Sequence, residues 1–137
     1  MGLREVGKTK DTAVVTVCDP VTREPLKTIG GADMTVTLHG PFSDHFKTVI
    51  REQQQRRTAE VATKGATPMS PQELDEFSRE MLFRCIESWT VTLEGDEIVP
   101  LERAAVDAVF AEFPWLRDDL DTALGSRGNF LERPKPL

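Results

Sequence analysis

The chain contains no tyrosine, only two histidines, His39 and His45, and only two cysteines, Cys18 and Cys85. Each scarcity removes a class of chemistry. General acid–base work draws first on histidine, so few candidates remain near neutral pH. The cysteines stand far apart with no C-x-x-C partner, which argues against a zinc site or redox pair and for two buried thiols in a reducing compartment. No apolar run approaches the roughly 18–20 residues that cross a bilayer. The segment Met1-Gly2-Leu3-Arg4-Glu5-Val6-Gly7 lacks the apolar stretch of a signal peptide, so a cytoplasmic location with no membrane partner is expected.

What is present is enough for one core. At 137 residues, with 39% apolar and 29% charged residues, the composition is that of an ordinary folded protein rather than a disordered one. Charge is divided unevenly. Residues 1–70 hold ten Lys/Arg against eight Asp/Glu, and residues 71–137 hold seven against fifteen. The acidic second half argues against a nucleic-acid partner there and leaves a solvated face or a basic protein partner.

Local patterns predict an α+β fold, a small N-terminal antiparallel β-meander followed by a mainly α-helical C-terminal part. Thr12-Ala13-Val14-Val15-Thr16-Val17-Cys18 is rich in β-branched residues and reads as a strand, ended by the turn residues and prolines of Asp19–Pro25. Leu26–Ile29 suggests a short return strand, and Gly30-Gly31 a turn. Met34-Thr35-Val36-Thr37-Leu38-His39 alternates with period two, as a half-buried strand does. Beyond Gly40-Pro41, Ser43 or Asp44 can cap a helix carrying Phe46, Val49, Ile50 and Gln53 on one face. Its second half, around Gln53-Gln54-Gln55-Arg56-Arg57, is polar all round and available to a partner.

Ser70-Pro71-Gln72-Glu73 is a capping box with proline at the first helical position. The helix it opens aligns Leu74, Phe77, Met81, Leu82, Cys85 and Ile86 as a core stripe, with Trp89 just beyond. A small hairpin around Gly95 follows. A helix holding Leu101, Ala104, Ala105, Ala108, Val109 and Phe110 then stops before Pro114, and a last helix with Trp115, Leu116, Leu120, Ala123 and Leu124 closes at Gly125. One domain over 1–137 is expected, with a β-rich part at 12–39, a helix at 43–64, a linker at 65–70, helices and hairpin at 71–125, and a loose tail at 126–137 ending in Pro134-Lys135-Pro136-Leu137.

No catalytic grouping assembles from these residues, and no enzyme, metal or cofactor is expected. His39, His45 and Asp44 lack a third metal ligand, and Gly30-Gly31 lacks the lysine and hydroxyl residue of a phosphate loop. Asp118-Asp119-Asp121 falls at a helix start, where acids suit the dipole, and Glu94-Asp96-Glu97 lacks calcium-loop spacing. The residues with interface character are Trp89, Phe110, Phe113, Trp115, Leu116, Phe130 and Leu131, the aromatic and apolar side chains of the acidic half.

Four segments, in their order, resemble the tail assembly chaperones of long, flexible-tailed phages. They are Asp19-Pro20-Val21-Thr22-Arg23-Glu24-Pro25-Leu26; Leu38-His39-Gly40-Pro41 with the basic helix through Arg51 and Gln53–Arg57; Leu82-Phe83-Arg84-Cys85-Ile86-Glu87-Ser88-Trp89; and Phe113-Pro114-Trp115-Leu116-Arg117-Asp118-Asp119-Leu120-Asp121 with Arg127-Gly128-Asn129-Phe130-Leu131. The likeness runs from about Thr12 to Leu131. Arg23 stands where the family has a turn glycine, and Ser126 where it has an aspartate. The resemblance implies a non-catalytic protein that binds the tape-measure protein, keeps it soluble and recruits tail-tube protein in the bacterial host cytoplasm, without remaining in the mature virion. The alternative expectation is a structural head–tail joining or tail-completion protein, and self-association into a homo-oligomer stays open.

Overall fold

A computed structural model describes residues 2–132 of the chain. In order they form α1 (Leu3–Val6), β1 (Lys8–Thr9), β2 (Thr12–Thr16), β3 (Thr35–His39), α2 (Asp44–Lys64), α3 (Pro71–Cys85), β4 (Ile86–Trp89), α4 (Arg103–Glu112), α5 (Pro114–Gly125), a 3-10 turn (Arg127–Phe130) and β5 (Leu131–Glu132). The fold is α+β, as the patterning predicts. None of the described helices is long and apolar enough to cross a membrane.

Alternation sets the sheet. β2 and β3 pair antiparallel with Val14 opposite Thr37. β3 also pairs antiparallel with β4, giving the order β2-β3-β4. Ala13, Val17, Val36, Leu38, Ile86 and Trp89 are buried and belong to one core cluster, while Val14 stays exposed. The register shifts between Thr37 and Leu38, which leaves Glu87 as the extra residue of a bulge.

β4 corrects the sequence reading. Ile86 was expected on the helical stripe, yet α3 ends at Cys85 and Ile86–Trp89 pairs with Val36–Leu38. Ile86 and Trp89 stand three residues apart, a helical spacing that a regular strand would split between its two faces, and the bulge at Glu87 brings both inward once the ladder with β3 forms. Leu74 is a second correction, being 55% exposed rather than in the core. It lies in the first turn of α3, whereas the buried residues of that helix are Leu82 and Cys85, at its other end.

Between β2 and β3 the expected return strand is reduced to isolated bridges, Cys18 with Pro25 and Lys27 with Asp33. Leu26 still donates to the Val17 carbonyl and accepts from Met34, so the loop folds back without a continuous ladder. The hairpin around Gly95 likewise holds one bridge, Thr92 with Ile98.

Helices cover the inner face of the sheet. α3 begins as its capping box requires: Ser70 Oγ accepts from the Glu73 amide at 3.1 Å, and Glu73 Oε1 accepts from the Ser70 amide at 3.5 Å. α2 starts at Ser43, whose side chain accepts from the Phe46 amide. α4 buries Val106, Val109 and Phe110, so Val106 takes the inward place assigned from sequence to Ala104 and Ala108, which are exposed. α5 adds Leu116 and Leu120.

The segment expected to be a loose tail is partly built in. Leu131 pairs with Thr9 and Glu132 with Lys8, and Phe130 is fully buried. Its ring lies where a side chain on Gly40 would be, 2.2 Å from an ideal Cβ there, so position 40 accommodates only glycine while the ring stays in place. Residues 133–137, including Pro134-Lys135-Pro136-Leu137, lie outside the described residues.

Candidate functional site

The seven residues singled out from sequence separate into two groups. Trp89, Phe110, Leu116 and Phe130 are buried members of the core. Trp89 and Phe110 meet edge to face at 6.4 Å, and Trp89 Nε1 donates to the Val99 carbonyl at 2.7 Å, so the indole is satisfied inside the protein. Their burial removes these four from the accessible surface of the folded chain. Phe113 and Trp115 are half-buried and form their own edge-to-face pair at 6.3 Å at the α4–α5 corner. Leu131 is half-buried on β5, where it pairs with Thr9.

His39 and His45 do come together, as stacked rings 4.0 Å apart. His45 Nε2 lies 2.6 Å from the Arg84 carbonyl, which can only accept, so that nitrogen carries a proton and ties the start of α2 to the end of α3. Burial, and then the neighbouring His45, hold His39 below the usual histidine range. Among the described residues no group of three His, Cys, Asp or Glu is placed to hold a metal ion. Burial pushes the Cys85 thiol up to about 12, which leaves it an unreactive core residue.

A different feature has the geometry of a binding site. α2 and α3 run antiparallel, and between the second half of α2 and the first half of α3 lies a cleft of about 330 Å³. α2 contributes Gln53, Arg56, Arg57 and Glu60, one face at spacings of three and four residues. α3 contributes Gln72, Glu73, Glu76, Phe77 and Glu80, and the connection adds Met69. Phe77 and Met69 are the apolar walls.

Gln53 is 1% exposed, an unusual place for a glutamine. Its Nε2 donates to the Phe77 carbonyl at 3.3 Å and to Glu80 Oε2 at 3.4 Å. Both partners are acceptors, which fixes the amide orientation and leaves Oε1 as the other end. Oε1 is buried with no hydrogen-bond partner among the described residues. Such an orphan acceptor costs about 1–3 kcal/mol.

The cleft's own arginines are already engaged. Arg56 pairs with Glu80, holding that carboxylate below its ordinary range, and Arg57 donates to the Thr67 carbonyl and lies 3.6 Å from Glu60. Glu76 pairs with Arg79 and Arg103. Four glutamates against two arginines leave the lining with a formal charge of −2. A second, more open depression shares Arg56 and Glu80 with the cleft and is lined also by Glu52, Gln55, Ala59 and Arg84.

Sequence reasoning identified the Gln53–Arg57 segment as available to a partner but gave it no counterpart. The signal was present in the spacing of Glu73, Glu76 and Glu80 on the facing helix, which the search for an apolar stripe passed over. Comparison with known proteins finds no match: no family model, no curated protein and no solved structure matches the chain.

Proposed function

We propose that this chain is a tail assembly chaperone of a long-tailed phage, a non-enzymatic protein that binds the tape-measure protein, keeps it soluble and helps bring tail-tube subunits to it in the host cytoplasm. It acts before the tail is complete and does not stay in the virion. The observation that carries this reading is the order of four motif segments between Asp19 and Leu131.

Contacts between those segments support it. The glycine of Leu38-His39-Gly40-Pro41 meets the ring of Phe130 from the last segment, some ninety residues away. Trp89 of the third segment and Leu116 of the fourth share the core with Leu38. Arg23, in the place of the family's turn glycine, has φ 65°, the left-handed conformation that glycine adopts without strain. The half-buried Phe113–Trp115 pair and the α2–α3 cleft are surfaces a client can meet.

The reading expects a long, coiled-coil-rich tape-measure protein to be encoded just downstream of this gene, and co-expression with that neighbour tests it. The neighbour is expected to become soluble and to co-elute with this chain, and replacing both Phe113 and Trp115 by alanine is expected to weaken the pair. A neighbour that stays insoluble, beside a stable closed ring of this chain, would transfer the assignment to a head–tail joining or tail-completion protein.

A further inference from the structure

We propose that the α2–α3 cleft is a socket for one arginine side chain presented by a partner polypeptide, the client of the preceding section; it rests on that reading for the identity of the partner. Three properties converge on a guanidinium. The first is Gln53, a lining residue whose buried Oε1 has no hydrogen-bond partner among the described residues and whose amide orientation is fixed by Phe77 and Glu80. Something that donates is the missing complement. The second is charge, since Arg56 and Arg57 are committed to Glu80 and Thr67 while Glu73 forms no ion pair among the described residues. Glu80 and Glu76 are matched by Arg56, Arg79 and Arg103, and Glu60 lies beside Arg57, so Glu73 is the lining carboxylate left for a ligand cation.

The third property is shape. A volume of about 330 Å³ lies at the small end of ligand pockets and suits a single long side chain better than a cofactor. Phe77 and Met69 offer apolar surface to the methylene stem and to the flat face of the head group. Arginine matches this set better than lysine. Its planar fork presents five donors, enough to serve an amide oxygen and a carboxylate together, and it stacks on an aromatic ring.

The decisive experiment titrates the isotope-labelled full chain with N-acetyl-argininamide, using the neutral N-acetyl-citrullinamide as control and following the Gln53 side-chain amide and the Phe77 ring by NMR. Shifts at both residues are expected with the arginine probe, with binding at least about fivefold weaker for citrulline. The variant E60Q/E73Q should weaken the arginine probe about fivefold while folding normally, because glutamine also serves the third position of a capping box. Shifts that miss the cleft, equal binding of the two probes, or indifference to E60Q/E73Q would each overturn the socket. The client supplies an independent arm. If the arginine probe binds and the neighbouring protein fails to co-elute, the chaperone reading falls and the socket stands. If the neighbour co-elutes with unchanged affinity for E60Q/E73Q, the socket falls and the chaperone reading stands.

Discussion

The two halves of α3 are held in opposite ways. Toward its end, Leu82 and Cys85 are completely buried beside β4 and the sheet. Toward its start the same helix is bound through charge: Asp75 to Arg79 and Arg117, Glu76 to Arg79 and Arg103, Glu80 to Arg56. Apolar burial scales with area removed from water, whereas ion pairs this exposed contribute little each. The end of α3 therefore anchors the fold. Its start supplies an adaptable polar wall, and the cleft is located there.

The strongest way to break the apolar side is Phe130→Ala. It empties a fully buried ring site and should cost about 3–5 kcal/mol in urea unfolding. Gly40→Ala attacks the same contact from the other side and should cost about 1–3 kcal/mol by forcing that ring to move. A loss below 1 kcal/mol in both would show that the turn at 127–130 does not belong to the cooperative core.

On the polar side, Gln53→Met should move stability the other way. It removes an orphan acceptor, while Glu80 keeps Arg56 as its partner, so a gain of about 1 kcal/mol is expected. A loss larger than 1 kcal/mol would mean that the two Nε2 hydrogen bonds outweigh the unpaired oxygen. Arg23→Gly, distant from both halves, should gain about 0.5–1 kcal/mol by relieving a left-handed residue, read as a rise in the thermal midpoint.

Acidification sharpens the contrast with the smallest effect. Burial and His45 depress His39 in the folded state, so the unfolded chain takes up that proton first. Stability from this group is complete above about pH 6.5 and declines as pH falls through that value toward the lower folded pKa. Glu80 is also depressed, by the hydrogen bond from Arg56. Its contribution is complete above about pH 4.5 and is lost below, toward its own folded pKa. Urea midpoints between pH 7.5 and 3.5 should fall in two windows, with His39→Gln removing the upper and Glu80→Gln the lower. A midpoint that rises on going from pH 7 to pH 6 would contradict the assignment to His39.

Much of the fold was legible where the decisive interaction is local. Ser70 and Glu73 satisfy each other's amides three residues apart, and that exchange is written in adjacent letters. The same holds for the alternation of Thr35–His39 and for the helix stop at Gly65, whose φ of 88° suits glycine. The binding surface was harder to read. Aromatic residues favour cores and interfaces alike, and sequence cannot tell Trp89, whose indole meets Val99, from the half-buried Trp115. Gln53 was placed on one face with Phe46, Val49 and Ile50 and also at the start of the polar stretch, and nothing within α2 signals that its amide meets the Phe77 carbonyl and Glu80.

The sequence by itself determined the α+β class, the starts of α2 and α3 and the strands β2 and β3, because caps, prolines and side-chain alternation act over one to four residues. Tertiary structure alone decided that Ile86–Trp89 leaves the helix for the sheet, that Phe130 fills the space above Gly40, and that Gln53 is buried with an unpaired oxygen. Each of these depends on partners dozens of residues away. Their free energy comes from surfaces that exist only once the chain has folded back on itself.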